Sequence, residues 1–409
     1  MNERVISPAP RDVAAQAPAQ LFFSTPQQRL SLARQRFFEE GIRPTGLVSE
    51  AIIQSWSRCL QAHREPHERV AFNPVTASRV HTALAHSRLL IETAALDLNQ
   101  LHRTLAGTTC TVILTDPQGV VVHAAWAGAH ADEKLLPLAR RIGVCMAEDS
   151  VGTNAPGLTA RTGQPSLVLG GEHFFGPVQV MHCAAAPIHD VHGRIAGVLD
   201  LSSESRPFGF DAAAMVGMFA TSIENRLLRA QSTEHIVVHL QTAPALIGTP
   251  MEGLVGITAK GRLAWVNQAA ARLLGLGGAV AGLAAADVFG LELNALMAMT
   301  REPVAAPQHL PNGLTLWLLA RFQARDGARE LFSVGSERPA ALAAPGLTAS
   351  APALASAAAI APEGTLRERD HDAITRTLQG CGGNVSKAAR QLGVSRGLVY
   401  RHLKRAAVA

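Results

Sequence analysis

The sequence predicts an α+β multidomain chain in which antiparallel-sheet domains precede a small all-α helix-turn-helix domain. Three observations predict it: three stretches of the body read strand, tight turn, strand; the terminal forty-five residues read as three short helices; and that terminus carries nearly all of the excess positive charge. Residues 365–409 hold nine Lys or Arg and three Asp or Glu, whereas the other 364 residues hold 28 basic and 29 acidic. A compact basic terminus on a nearly neutral body is the electrostatic footprint of a discrete nucleic-acid module.

Residues 1–25 are rich in Ala, Pro and Gln without periodicity and read as a disordered N-terminus. A helical segment is expected over 26–79, where Ile52, Ile53, Trp56 and Leu60 recur at helical spacing within 49–60. The first hairpin is expected at 111–115 and 120–123, turning at Asp116-Pro-Gln-Gly119. The second runs from 178 to 188, turns at Asp190-Val-His-Gly193 and returns over 195–201. An amphipathic helix at 211–231 follows, with Met215, Met218, Phe219, Ser222, Ile223 and Leu227 on one stripe. The third hairpin pairs 254–258 with 263–266 and leads into a helix at 267–274.

An Ala/Pro-rich stretch at 336–364 reads as a flexible tether. No compact apolar run follows a basic start, and no stretch of about 18 apolar residues occurs, so neither a signal peptide nor a membrane contact is expected and the cytoplasm is the expected location. Five cysteines, at 59, 110, 145, 183 and 381, form no C-x-x-C pair and are odd in number, which argues for reduced thiols.

The terminal module is built on Asn384-Val-Ser-Lys-Ala-Ala-Arg-Gln-Leu-Gly-Val-Ser-Arg-Gly-Leu-Val-Tyr-Arg-His-Leu-Lys-Arg405. A first helix over 366–378 ends at Gly380-Cys-Gly-Gly383. Asn384 can cap a second, whose Val385, Ala388, Ala389 and Leu392 share a face, and Gly393 supplies the turn. Ser395 caps the third, which presents its N-terminal residues to base edges in the major groove. Arg396 is the base-reading candidate beside Gly397. Arg401, Lys404 and Arg405 are candidates for the phosphates, His402 faces outward beside them in the DNA-contacting set, and Asn384, Ser386 and Lys387 touch the backbone from the preceding helix.

This segment resembles the Fis-type helix-turn-helix. Upstream, Ser55-Trp-Ser-Arg-Cys59, Val151-Gly-Thr-Asn-Ala155, Gly171-Glu-His-Phe174, His182-Cys-Ala-Ala-Ala-Pro-Ile-His-Asp190 and Gly193-Arg-Ile-Ala-Gly-Val-Leu-Asp-Leu-Ser202 resemble the sensory half of acetoin-catabolism-type regulators, a group of bacterial enhancer-binding activators. The resemblance implies a GAF-like sensor domain at 80–231. The third hairpin, with Asn267 opening a helix, resembles a degenerate PAS-like domain at 232–335, and the Fis-type domain occupies 365–409. It further implies that Thr153, Asn154, His173 and Cys183 line a ligand pocket, with Pro156 a departure from the pattern.

A second departure concerns the central AAA+ ATPase of such activators: neither a G-x-x-x-x-G-K-[ST] phosphate loop nor a Gly-Ala-Phe-Thr-Gly-Ala loop occurs. The expected protein is therefore a ligand-responsive, sequence-specific DNA-binding transcriptional regulator without its own ATPase and not an enzyme. Its expected partners are double-stranded DNA, a small-molecule effector, a second copy in a homodimer, and RNA polymerase or a full-length paralogue. No cofactor is expected. A thiol-based enzyme or redox sensor, with Cys145 or Cys183 near a His, is the alternative. His182, Cys183, His189 and His192 are dense enough in sequence to raise a metal site, but on a strand His182 and Cys183 point to opposite faces, so no metal is expected.

Overall fold

The computed structural model describes residues 25–126, 133–278 and 280–323, together with Thr377 and Val385, which are helical. The chain divides into compact units Met1–Leu331 and Phe332–Ala409, and the elements that follow belong to the first.

Helices α1 (Pro26–Arg34), α2 (Glu50–Gln61), α3 (Ala77–His86) and α4 (Arg88–Thr104) lead into a hairpin of β1 (Cys110–Thr115) and β2 (Val121–Trp126). Short helices α5 (Leu136–Ala139), α6 (Glu148–Val151) and α7 (Ala155–Thr162) precede β3 (Ser166–Leu169), β4 (Met181–His189) and β5 (Ile195–Glu204), and α8 (Ala212–Gln231) closes this module. Its strands form an antiparallel sheet in the order β2-β1-β5-β4-β3.

Period-two alternation divides the sheet's side chains between two cores. Val112, Leu114, Ala184, Ala186, Leu199 and Leu201 pack against Leu90, Leu98 and Leu101 of α4 and Val216, Phe219 and Ile223 of α8. On the opposite face Ile113, Cys183, Ala185 and Val198 meet Trp56 of α2, Leu136 of α5, Leu158 of α7 and the Phe174-Phe175 pair. The helices expected from 49 and 211 open on side-chain caps: Ser49 accepts from the Ile52 N–H and Asp211 from the Ala214 N–H. Residues 178–180, expected to open the second hairpin, instead end and follow a 3-10 turn at Gly176–Val178, and the strand begins at Met181. Gly176-Pro177 sets that turn, since proline has no N–H for a ladder and fixes φ near the helical value.

The second module holds β6 (Ile236–Gln241), β7 (Gly253–Ile257), β8 (Leu263–Val266), α9 (Gln268–Leu274), α10 (Ala285–Phe289), α11 (Leu293–Met299), β9 (Ala306–His309) and β10 (Thr315–Phe322). Its antiparallel order is β8-β7-β6-β10-β9. One face packs on α9, α10 and α11 through Ala270, Leu274, Phe289 and Leu296. The other carries Val237, Leu254 and Trp265, which pack on Leu228 of α8. Gly256 is required there, because a Cβ would stand 2.1 Å from Trp265 Nε1. Moving the first strand of this sheet to the end of its strand list turns its order into that of the first sheet, so the two sheets are circular permutants in topology.

Among the described residues no helix is long and apolar enough to cross a membrane.

Candidate functional site

The ten residues expected to contact DNA, Asn384, Ser386, Lys387, Ser395, Arg396, Gly397, Arg401, His402, Lys404 and Arg405, lie outside the described residues. The four expected at a ligand pocket are all buried in the first module, but they fall into two groups.

Thr153 and Asn154 serve the architecture. Asn154 caps α7: its Oδ1 accepts from the Gly157 N–H at 2.8 Å, and its Nδ2 donates to the Gly152 carbonyl at 2.7 Å. Pro156 falls in the first turn of α7, where its missing N–H has no helical partner to lose. The Thr153 hydroxyl lies 2.7 Å from Ser55 Oγ, which itself donates to Glu148 Oε1. Arg58 closes on the same carboxylate with Nε at 3.0 Å and Nη2 at 2.7 Å, a two-pronged contact that suits a guanidinium. Burial pushes the neighbouring Cys59 thiol up to about 11. Within the Ser-Trp-Ser-Arg-Cys string, Ser55, Trp56 and Cys59 are buried, and Ser55 and Arg58 fasten α2 to Glu148 of α6. Glu148 was not legible as its partner, because 90 residues separate it from Arg58.

His173 and Cys183 do come together. Cys183, on β4, places its sulfur 3.6 Å from His173 Nε2, and His173 Nδ1 lies 2.9 Å from the Gly170 carbonyl oxygen. A carbonyl only accepts, so Nδ1 carries the hydrogen and Nε2 is the bare acceptor. Burial lowers the His173 pKa to about 4, which keeps the ring neutral near neutral pH. Burial likewise drives the Cys183 thiol far above its ordinary value, so the sulfur is neither a thiolate nor open to solvent, and the nucleophile of the thiol reading is missing from this pair. The ladder sets Ser202 of β5 opposite Cys183, and Ser202 Oγ stands 3.1 Å from the sulfur and 2.7 Å from Asp200 Oδ2. Asp200 is fully buried, its pKa raised to about 7 by desolvation.

Arg34 holds the loop that carries His173. From α1 its guanidinium donates to the carbonyls of Gly171 at 2.8 Å, His173 at 2.9 Å and Phe174 at 3.2 Å, and it stacks 4.6 Å from the Phe38 ring. Burial lowers its pKa to about 10, leaving it charged. Glu204, next on the same face of β5, is spent on the N–H groups of Lys134, Leu135 and Leu136, each at 2.9 Å. Arg34 did not stand out in the sequence, and Asp200 and Ser202 stood within a string that carried the resemblance but were given no role, because each gains its meaning from partners on other elements.

The remaining clusters do not converge. His189 Nδ1 pairs with Glu224 Oε2 at 2.8 Å, while His192 sits at an exposed turn. Among the described residues no three His, Cys, Asp or Glu side chains are grouped to hold a metal. Cys59, Cys110, Cys145 and Cys183 are free thiols, Cys145 half-exposed and the others buried. An open groove of about 360 Å3 lies between α4 and β2, lined by residues including Leu98, His102, His123 and Trp126, and none of the four expected pocket residues borders it.

Comparison with known proteins places these features. Residues 25–224 match the MimR N-terminal domain family, and residues 365–405 match the family described as bacterial regulatory protein, Fis family. The propane 2-monooxygenase operon transcriptional activator MimR of Mycolicibacterium smegmatis is 31% identical over 199 residues, 48% of this chain and 32% of that one. The acetoin catabolism regulatory protein of Cupriavidus necator is 31% identical over 261 residues, 61% of this chain and 38% of its own length. The acetoin dehydrogenase operon transcriptional activator AcoR of Bacillus subtilis is 28% identical over 172 residues, 41% of this chain and 28% of that one. The chain spans roughly a third of the length of these relatives. Among solved structures, the Escherichia coli DhaR(N)–DhaL complex aligns with 67% of this chain and 99% of that one at 18% identity, with a TM-score of 0.42, a likeness too loose to carry a fold assignment. The match to the MimR N-terminal domain family at the front and to the Fis family at the end makes this chain a homologue of the MimR- and AcoR-type transcriptional activators.

Proposed function

We propose that the chain is a ligand-responsive, sequence-specific DNA-binding transcriptional regulator that acts without its own ATPase. The observation that carries this reading is the pairing, in one chain, of the N-terminal domain shared with named activators and a basic Fis-family segment, with no phosphate loop in the sequence between them. In this reading the first module is the GAF-like sensor of 80–231 and the second the PAS-like domain of 232–335. A small organic effector binds the first and biases the conformations open to the dimer, and with them operator affinity. The relatives' names tie them to acetoin and propane 2-monooxygenase operons, which suits a small oxygenated effector. A homodimer supplies two reading helices for adjacent half-sites, and RNA polymerase or a full-length paralogue is the partner that turns occupancy into a change of transcription.

The test is selection of genomic fragments by the purified chain at near-physiological salt, against a chain ending at residue 362. A recurrent inverted repeat that is lost on truncation is expected. Equal enrichment by both chains would refute the assignment of DNA reading to the Fis-type terminus. Arg396→Ala sharpens it, with an expected loss of about 1 to 3 kcal/mol in discrimination at one base position.

A further inference from the structure

Four side chains and one carbonyl make a directed relay beneath α7 and the 170–179 loop. Its direction follows from the far end. Gly170 O accepts from His173 Nδ1, so His173 Nε2 needs a donor, and the only hydrogen between it and the sulfur is that of the Cys183 thiol. With that hydrogen committed, the sulfur receives the Ser202 hydroxyl, and the Ser202 oxygen in turn receives the proton on Asp200 Oδ2. The carboxyl that this arrangement requires is the neutral one, the form that full burial favours below about pH 7.

One atom is left over. Asp200 Oδ1 is buried and, among the described residues, without a hydrogen-bond partner. The register sets Ile113 of β1 and Ala185 of β4 on either side of Asp200, one apolar and one small, and neither side chain has a donor to offer. The cation Arg34 is committed to three carbonyls, and the carboxylates Glu204 and Glu172 to the start of α5 and to the Leu169 N–H. Buried polar groups are almost always paired, and an orphan acceptor in an otherwise satisfied network marks the place where a donor from outside belongs.

We propose that Asp200 Oδ1 is the anchor of the effector site, accepting a hydrogen bond from a hydroxyl or protonated amine of a small ligand, and that the site rejects carboxylates. This rests on the reading of the first module as a sensor. A hydroxyl leaves Asp200 neutral and the relay intact. A free amine takes the Asp200 proton as it binds and stands as the ammonium beside the carboxylate, so that Ser202 turns to donate to Asp200, and the Cys183 and His173 contacts must rearrange. The two ligand classes therefore reach the loop held by Arg34 with different hydrogen-bond directions.

The test uses the full chain and four probes on one three-carbon frame, propane-1,2-diol, 1-amino-2-propanol, propanone and lactate, each titrated to about 100 mM while thermal unfolding is followed, a range in which millimolar binding is visible. The diol and the amino alcohol are expected to raise Tm, and propanone, without a donor, and lactate, with its charge, are not. Asp200→Leu is expected to weaken the diol about tenfold or more, as loss of a hydrogen bond to a buried acceptor does. Asp200→Asn serves as the folding control: its Nδ2 donates to Ser202 in place of the acid proton and its Oδ1 still accepts, so diol affinity stays within about threefold. Equal diol shifts in wild type and Asp200→Leu, equal shifts from propanone or lactate, or no shift from any probe in the wild type each overturn the anchor. Fragment selection run on the same samples separates the two readings. An operator found alongside a diol shift indifferent to Asp200→Leu removes the anchor and leaves the regulator, whereas an Asp200-dependent shift without any operator removes the regulator and leaves the anchor.

Discussion

The two sheets share an order up to a circular permutation, yet they aim their buried polar groups at different neighbours. In the first module the polar strip of β4 and β5 faces the inside of one domain and ends in an open acceptor, Asp200 Oδ1. In the second module the polar side chains face the joint with α8. Asn267 makes four hydrogen bonds there: its Oδ1 accepts from the N–H groups of Leu254 and Ala270, and its Nδ2 donates to Asn225 Oδ1 on α8 and to the Glu252 carbonyl. Beside it His239 Nδ1 and Glu252 Oε2 lie 2.8 Å apart, and the same oxygen accepts from the Gly248 N–H at 2.7 Å. Unpaired buried atoms occur in both regions, Asp200 Oδ1 in the first and His239 Nε2 and Trp265 Nε1 in the second, so what separates them is that one polar strip faces the inside of a domain while the other ties a sheet to α8.

The hardest blow to that contrast is Asn267→Ala. It removes a helix cap, a strand tie and the link to α8 at once, with an expected loss of about 3 to 5 kcal/mol. Tryptophan emission reports it, since Trp56 and Trp126 lie in the first module and Trp265 and Trp317 in the second. Denaturant unfolding should split into two transitions; a single coincident transition would show that Asn267 is not the joint.

Next in size is Arg34→Met, which keeps much of the apolar stem over Phe38 but strips three carbonyls of their donor, for an expected cost of about 2 to 4 kcal/mol. Hydrogen exchange should rise across 170–179 and stay unchanged in the second sheet. Exchange spreading evenly over both modules would deny the loop its separate anchor.

Asp200→Asn probes the open end of the relay through pH. Burial raises the folded acid's pKa to about 7, above the unfolded value near 4, so between those limits the native state binds the extra proton and wild-type stability falls as pH rises. Asparagine has no such slope. The variant should therefore gain on the wild type from pH 4 to pH 7, by on the order of a few kcal/mol, and level off above. A constant difference across that window would place the ionisation elsewhere. Glu252 runs the other way: although burial opposes it, the His239 hydrogen bond and charge hold its carboxyl below the usual range, so its contribution is present above the unfolded pKa and is lost on acidification through the folded one.

The smallest effect is expected at Arg88→Ala. Arg88 and Glu92 form an exposed i,i+4 pair on α4 at 2.9 Å, and its removal should leave Tm unchanged within error. A clear drop in Tm would give this surface pair a weight that the buried groups alone are expected to carry.

Local signals were strong wherever one face is wet or a cap is needed. The 49–60 stripe became α2, the 211 and 267 caps opened α8 and α9, and the Gly119 and Gly193 turns, at φ +82° and +71°, closed their hairpins. β6 was not among the expected strands: as the central strand of its sheet it is buried on both faces, so its alternation of Val238, His239, Leu240 and Gln241 does not mark a wet face. Val178 to Val180 looked like a strand by composition, and the preceding Gly-Pro turned it into a 3-10 corner.

By itself the sequence determined the charge-segregated terminus, the succession of hairpins and helices, and the absence of a phosphate loop, since composition, short period and local motifs fix these without reference to distant partners. Tertiary structure alone decided that Thr153 and Asn154 are tied to helices while His173 and Cys183 pair, that Arg34 reaches a loop some 137 residues away, and that Asp200 keeps one oxygen free. Whether a polar group is satisfied depends on donors brought in by other strands and helices, and no window of sequence contains both ends of such a bond.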